Sequence, residues 1–463
     1  MTSRIFIFSF LLLLAANVLG QSYPVLEIKI TGNKKTKDFV ILKELVFKKG
    51  DVFDIQKSND LEKRLETSTK RVLNLNLFNQ VIIIPQFLET VDSNGYVIHI
   101  AVIENWFIWP LPSIEFSDRN FNVWSDLDFN PARTNYGLFV DQYNVFGRNH
   151  TMKTRIKTGY NNQVGVEYRI PFLGPKSPWG LMAQIDYNSQ NEVWYQTRND
   201  SLQFFKNGEN DLVSSTTAKL EFSKRIDPFV SVFVNINHEY GELHNAVPRA
   251  EYFTNSSKNQ HLTGIKLRTN HDTRDNIFFP LTGLFLSPQV SLQRYHNIQT
   301  DFNLSFDLKV QRFFKIRPKL YSAFSISSQI NTLRSRGYQD RKQLGYDKTV
   351  RDFEHYVVEG YFGTKATAAL RYQIIDKPNI RLNFVPFENY KNLPLRVYLE
   401  SFVDGGYASD IQTDKSNELP TQIISSGGAG LNFLFYNDKI FRIEYSLNSL
   451  KDDGLFVHSQ KAI

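Results

Sequence analysis

Between His238 and His244 the chain reads His-Glu-Tyr-Gly-Glu-Leu-His, the residue types that hold a metal and activate water. The spacing does not suit that chemistry. A His-Glu-x-x-His pair puts two imidazoles on one helical face, whereas these histidines lie further apart, on a strand running into a loop. They read as solvated polar residues. No Gly-x-Ser-x-Gly elbow and no phosphate-binding P-loop occurs anywhere in the chain. Charge pairing is the chemistry left. Strand alternation puts Arg396, Glu400 and Asp404 on one face, and Arg442 with Glu444 on one face two strands later. A long segment, Asn331–Tyr356, rich in Arg, Lys, Asp and Gly, leads into Val358-Glu359-Gly360-Tyr361. Loops of that length are uncommon unless they are functional or disordered. No catalytic residue, metal ligand or cofactor is expected.

The elements that must position these charges are strands. Phe302–Gln311 alternates apolar and polar without exception, and Val230–Asn237, Leu395–Asp404 and Phe441–Asn448 repeat the pattern. Such strands have one apolar and one wet face. The chain has 38 Phe and 22 Tyr, yet its mean hydropathy is −0.34. A membrane barrel satisfies both, turning aromatics to lipid and interface while its lumen stays polar. The period-two pattern predicts an all-β transmembrane antiparallel barrel of about sixteen strands over residues 106–463. The strand centres fall near Pro112, Leu138, Ile156, Val166, Ala183, Leu220, Val234, Ile265, Val290, Phe306, Phe324, Ala369, Leu399, Leu431, Ile443 and Val457. Ile380–Phe387 reads as either a further strand or a turn.

Arg4, the apolar run Ile5–Ala16 and the small residues before Gln21 predict a signal peptide over 1–20, cleaved after Gly20. No stretch of ~18 apolar residues follows, so no helix crosses a membrane. The chain has no cysteine and is not stapled by disulfides. Its net charge of +7 suits anionic headgroups or lipopolysaccharide. That charge is too diffuse for nucleic acid, which is not expected as a partner.

Residues 22–104 read as strand (Leu26–Ile30), helix (Thr36–Leu45, with Thr36 as N-cap), a second helix from about Asp60, then strands Val81–Pro85 and Tyr96–Glu104. That order, with the Leu77-Phe78-Asn79-Gln80-Val81 run, resembles a POTRA domain, a small α+β periplasmic module attached to outer-membrane assembly and secretion barrels. Its sheet would leave an edge on which an extended client could add a strand.

His271-Asp272-Thr-Arg274-Asp275-Asn-Ile-Phe-Phe-Pro280-Leu-Thr-Gly283 resembles the Asp-Thr-Arg-Asp-x-x-x-x-Pro-x-x-Gly turn of the BamA/TamA-type outer-membrane assembly superfamily. Asn144-Val-Phe-Gly147-Arg148 and Tyr168-Arg-Ile-Pro171-Phe172 are similar to its early hairpins. Phe402-Val-Asp404-Gly405-Gly406 is similar to its Phe-x-Asp-x-Gly strand, and Gly428-Ala-Gly430-Leu431 with Arg442-Ile-Glu444-Tyr445 to its closing strands. In that family a loop folds into the lumen carrying Val-Arg-Gly-(Phe/Tyr), and its arginine pairs with an inward acid. Val358-Glu359-Gly360-Tyr361 then carries an acid where the arginine belongs. Two carboxylates ~4 Å apart at an effective dielectric near 20 would cost about 4 kcal/mol. The resemblance therefore implies that Glu359 meets Asp404 and Gly406 through a lumenal arginine, Arg371 or Arg396 leading, or that Gly360 and Tyr361 dock alone.

The resemblance implies a barrel that inserts or exports polypeptide, and perhaps lipid, without nucleotide hydrolysis, in the outer membrane of a Gram-negative-type bacterium. Clients would be unfolded outer-membrane or secreted chains, with periplasmic or lipoprotein accessory partners. A weakly paired seam would admit them, since Pro110 and Pro112 lie in the first strand. The rival readings are a dedicated secretion channel or passive pore, which having a single POTRA-like unit favours, a soluble all-β exported protein, and an outer-membrane phospholipase with Ser and His at the rim.

Overall fold

The computed structural model describes residues 22–461, apart from 55–59, 90–93, 117–130, 132–133, 245–246, 248–251, 297–301, 335–336, 347, 382–391, 411–413 and 436–438. The proposed signal peptide lies outside the described residues, as does most of Ile380–Phe387. The chain divides into two compact units, one ending at Asn105 and the other beginning at Trp106.

The first unit runs β1 (Ser22–Thr31), α1 (Asp38–Leu42), β2 (Val52–Asp54), α2 (Asp60–Asn74), β3 (Phe78–Glu89) and β4 (Asn94–Glu104). Its sheet order is β2-β1-β4-β3, with β1 parallel and β3 antiparallel to β4, so β3 is a twelve-residue edge. Val40 and Ile41 of α1, with Leu65 and Val72 of α2, are buried, as are Ile98 and Ile100 on β4. A buried ion pair, Arg71 Nη2 to Glu44 Oε2 at 2.6 Å, joins α2 to the end of α1. Thr36 is not the N-cap. Its hydroxyl donates to Glu104 Oε1 at 2.6 Å, and the same carboxylate accepts the amides of Lys35 and Thr36. With that oxygen committed, α1 starts later, after Lys37, and is shorter than the apolar spacing suggests.

The second unit is one antiparallel sheet of sixteen strands. These are β5 (Ile108–Phe116), β6 (Thr134–Val145), β7 (His150–Gly159), β8 (Asn161–Ile170) and β9 (Trp179–Gln190), then, after a separate hairpin β10 (Val193–Arg198) and β11 (Ser201–Phe205), β12 (Val213–Arg225), β13 (Val230–Leu243), β14 (Asn259–Asp272), β15 (Gly283–Tyr295), β16 (Phe302–Arg317) and β17 (Leu320–Asn331). A small ladder, β18 (Lys342–Leu344) with β19 (Val358–Glu359), lies in the following loop. Then come β20 (Phe362–Arg381), β21 (Asn392–Ser409), β22 (Ile423–Phe435), β23 (Lys439–Asn448) and β24 (Asp453–Lys461). Each of the sixteen centres read from alternation falls within its own strand.

Register sorts the two faces. On β15 and β16, Val290 opposes Phe306 and Leu292 opposes Leu304 on the outer side, while Ser291 opposes buried Ser305 on the inner side. A one-residue slip would turn Asp307 and Lys309 to lipid, so the hydrophobic pattern fixes the pairing. Lys439 Nζ, on β23, stands 5.4 Å from the Trp109 ring centroid on β5, so the sheet curls until its ends meet. Short connections, including 226–229, 273–282 and 318–319, mark one end of the barrel. The other end carries the long loops. There Val193, Leu212, Leu243, Phe253, Tyr338 and Val357 form one buried cluster across three of them.

Candidate functional site

The long loop, 332–361, enters the barrel and places Arg351 against its inner wall. Arg351 makes a two-pronged contact with Asp404 on β21: Nε to Oδ2 and Nη2 to Oδ1 are both 2.9 Å. Nη1 also reaches Glu400 at 3.2 Å and Glu444, on β23, at 3.4 Å. The guanidinium carbon lies 3.3 Å from the centroid of the Phe402 ring, a stacked cation–π contact. Asp404 has no solvent exposure. Burial opposes charge on Arg351, but bonding to Asp404 and the field of Glu444 and Glu400 outweigh it and raise its pKa.

Local sequence explains the fit. Val350 and Phe353 flank Arg351 and are buried with Leu344, Val358, Ala408, Leu419 and Ile424, which anchors the loop on both sides of the charge. Between them Asp352 takes a left-handed backbone, φ 66°, a conformation short polar residues tolerate better than most. Its carbonyl accepts from Asn448 Nδ2 at 2.6 Å. Gly406, facing the loop from β21, leaves the space Val350 needs: a Cβ there would stand 2.7 Å from Val350 Cγ2.

This corrects the reading of Glu359. Val358-Glu359-Gly360-Tyr361 lies at the loop's base, where Glu359 pairs with Arg341 at 3.4 Å rather than with Asp404. Burial first, then the nearby Asp410, raises the Glu359 pKa to about 6 against the opposing pull of Thr197 and Arg341. Gly360 packs against the carbonyl of Ser409, and the Tyr361 amide donates to that same oxygen at 3.1 Å. The docking segment is Val350-Arg351-Asp352-Phe353. It matches Val-Arg-Gly-Phe in all but the glycine, whose backbone role Asp352 takes over. Weighting the glycine above the arginine hid it.

Arg371, on β20, does not replace a missing arginine; it pairs with Glu400, Nε to Oε2 at 2.6 Å. Arg396 takes no part in docking: among the described residues its nearest carboxylate is Asp376, at 3.9 Å, and it is partly exposed. Arg442 donates to Asn432 at 2.9 Å and stands 3.8 Å from Glu444. Lys365 bonds the carbonyl of Thr349 and lies 3.5 Å from Asp404.

The turn 273–282 reaches the same cluster from the opposite end. Arg274 forks onto Asp272 at 2.6 and 2.8 Å. Asp275 Oδ1 accepts the amides of Asn276, Leu281 and Thr282, closing the turn on itself. Gly283, φ 110°, sits where a Cβ would strike the Thr273 carbonyl at 2.3 Å. Phe279 is thereby buried with Tyr398, Leu434 and Ile440 inside the barrel. Pro280 holds out its carbonyl to Arg371 Nη1 at 2.8 Å. Asp404, Arg351, Glu400, Arg371 and Pro280 thus form one continuous bonded relay between the loop and the turn.

Among the described residues no three His, Asp or Glu side chains are arranged to hold a metal. His238 and His296 both bond the Thr263 hydroxyl, at 3.0 and 2.9 Å.

At the seam, Tyr143 donates its amide to the Phe107 carbonyl at 2.7 Å, in register with the β5–β6 ladder. Alternation then points the backbone nitrogens of residues 109, 111 and 113 toward β6, and those of 108, 110, 112 and 114 away from it. Pro110 and Pro112 therefore remove two of the donors that would face β24. Among the described residues no ladder joins β5 to β24.

Two family models match the chain: POTRA, described as "surface antigen variable number repeat", over residues 23–105, and the Omp85 superfamily domain over 144–365. No curated protein matches. Among solved structures, BamA from Haemophilus ducreyi lacking POTRA domains 1–3 aligns at 12% identity and TM-score 0.52, over 95% of this chain and 84% of that one. CdiB from Acinetobacter baumannii aligns at 14% and 0.54, covering 94% and 73%. CdiB from Escherichia coli aligns at 12% and 0.58, covering 95% and 76%. At such identities these structures speak to the fold. Taken with the two family matches and the apolar outer face of the strands, they place the barrel in the outer membrane and the POTRA domain in the periplasm. The chain belongs to the Omp85 superfamily, as a POTRA domain followed by a sixteen-stranded outer-membrane barrel.

Proposed function

We propose that this barrel inserts polypeptides into the outer membrane by accepting client strands at the β5 edge, rather than passing them through its lumen. The observation that carries this reading is the seam, where Pro110 and Pro112 take two donors from the edge facing β24. Each ladder hydrogen bond contributes about 0.5–1.5 kcal/mol net, so their loss weakens closure by about 1–3 kcal/mol. The lumen is occupied from both ends by the Arg351 loop and the Phe279 turn, which disfavours a path along the axis. On the POTRA domain the β3 edge offers a second place for an extended client to add a strand. No nucleotide or cofactor enters the proposal; the driving force is burial and hydrogen bonding of the client.

The test uses the absence of native cysteine. Cysteine pairs scanned across β5 and β24 will, once oxidised, abolish insertion of client barrels, and reduction will restore it. Undiminished function in a fully cross-linked barrel refutes lateral entry. Depletion followed by a census of outer-membrane proteins separates a general insertase, which lowers many barrels, from a dedicated exporter, which lowers one product.

A further inference from the structure

Between the loop and the turn the lumen keeps a cavity of about 450 Å3. Its wall carries six cationic side chains: Arg274, Lys309, Arg351, Lys365, Arg371 and Arg442. Among the described residues one carboxylate, Glu400, lines it, and four, Asp272, Glu400, Asp404 and Glu444, stand within 4 Å of any of these cations. Two positive charges are left over. Lys309 has no carboxylate within that distance among the described residues; Asp307, its neighbour on the inner face, is held by Gln289 at 3.2 Å. Arg371 commits Nε to Glu400 and Nη1 to Pro280, and Arg442 commits Nε to Asn432, which leaves the Nη2 group of each without an acceptor among the described residues.

We infer that this cavity binds a phosphate-class dianion, either inorganic phosphate or a small phosphate monoester. Two excess charges match a dianion and over-match a single carboxylate. Guanidinium forks beside an ammonium suit the tetrahedral oxygens, which accept from several directions at once. The volume lies in the range of small-ligand sites, and Phe278 with Phe313 leaves apolar wall for a short organic substituent. The ligand comes from water, because the hydrogen-bonded ladders of β16, β17 and β20 close the cavity off from lipid. One of its cations, Arg351, belongs to the loop. A bound dianion therefore favours the docked loop, and by reciprocity loop docking favours the anion. None of this depends on which client the barrel serves.

The experiment titrates the folded full chain, in uncharged detergent, with sodium phosphate and with glycerol phosphate at constant ionic strength set by chloride. Calorimetry is expected to show saturable binding, and phosphate is expected to slow proteolysis of the loop and raise the temperature at which the barrel unfolds. Lys309→Gln should weaken binding tenfold or more, and Ser325→Asp, which adds a carboxylate to the wall, should abolish it. No saturable heat with the unmodified protein overturns the inference, whether or not the variants fold. So do equal effects from chloride alone, unchanged affinity in folded Lys309→Gln, or an effect produced only by micelles containing phosphatidylglycerol.

Discussion

Replacing Arg351 by Met keeps the length and most of the apolar stem but removes a cation that three buried carboxylates share. Of the cations among the described residues, Asp404 would keep Lys365, at 3.5 Å; Glu400 would keep Arg371 at 2.6 Å, and Glu444 would keep Arg442 at 3.8 Å. Taking one partner from a buried ion pair costs about 3–5 kcal/mol, because the remaining charge stays desolvated. The remaining cations blunt this, so the lower end, about 3 kcal/mol, is expected. Since 1.4 kcal/mol is tenfold, the docked population of the loop should fall about a hundredfold relative to the undocked one. Chymotrypsin cutting at Phe353 and Tyr356, both held against the barrel in the native protein, reads this directly in outer-membrane vesicles. Entry of a large antibiotic into cells is the second readout. Arg351→Lys should recover part of the effect, restoring charge without the fork. Combining Arg351→Met with Asp404→Asn should cost less than the sum of the two, since Asp404 is then no longer a buried charge without its arginine. If Arg351→Met left both proteolysis and antibiotic entry unchanged, the loop would not be held by this cluster.

Burial, reinforced by Glu354, Asp452 and Asp453, raises the Asp352 pKa to about 7. In the undocked loop this group would titrate near 4. Docking then takes up a proton between those values, so the contribution of Asp352 to the docked state is full below about pH 4, is lost as pH rises toward about 7 and levels off above it. Glu359, raised to about 6, acts in the same direction. Loop proteolysis should accordingly be slower at pH 5 than at pH 8, and Asp352→Asn should flatten that difference. Gly406→Val should displace Val350 and Leu344 and increase antibiotic entry as Arg351→Met does; unchanged permeability would show that the anchors can shift. Arg396→Gln should leave the unfolding temperature and loop protection within error, because among the described residues its carboxylate neighbour, Asp376, is 3.9 Å away and half exposed.

The strand pattern was legible because period-two alternation is imposed by two solvents at once. Phe302, Phe306 and Leu308 must face lipid while Asn303 and Ser305 face inward, so each strand carries its own orientation in its letters. The turn with Asp275 and Gly283 was also legible, since local hydrogen bonds and a left-handed backbone constrain residue types over a short span. The docking arginine was not. Arg351 lies in a loop without periodicity, and its partners are more than forty positions away. The one local cue, a left-handed residue after the arginine, is met here by Asp352. The short α1 was misread for a similar reason, because Thr36 is bonded to Glu104 across the domain.

The relay from Asp404 to Pro280 bears on how the two ends of the lumen respond to each other. Arg351 and Arg371 share Glu400 through different oxygens, Oε1 at 3.2 Å and Oε2 at 2.6 Å. When Arg351 leaves, the carboxylate can turn wholly to Arg371 and hold it more firmly beside the turn; when Arg371 leaves, the carboxylate can turn wholly to Arg351 and hold the loop more firmly. Coupling through a shared acceptor is therefore antagonistic, with release of one plug tightening the other. Such an arrangement keeps the lumen closed at one end whenever the other opens, which a barrel admitting clients at its seam requires if the membrane is not to leak. A double-mutant cycle between Arg351→Met and Arg371→Met measures the sign. A second substitution more severe in the presence of the first would support antagonism, because each arginine then covers for the other at Glu400; a second substitution milder in the presence of the first would refute it.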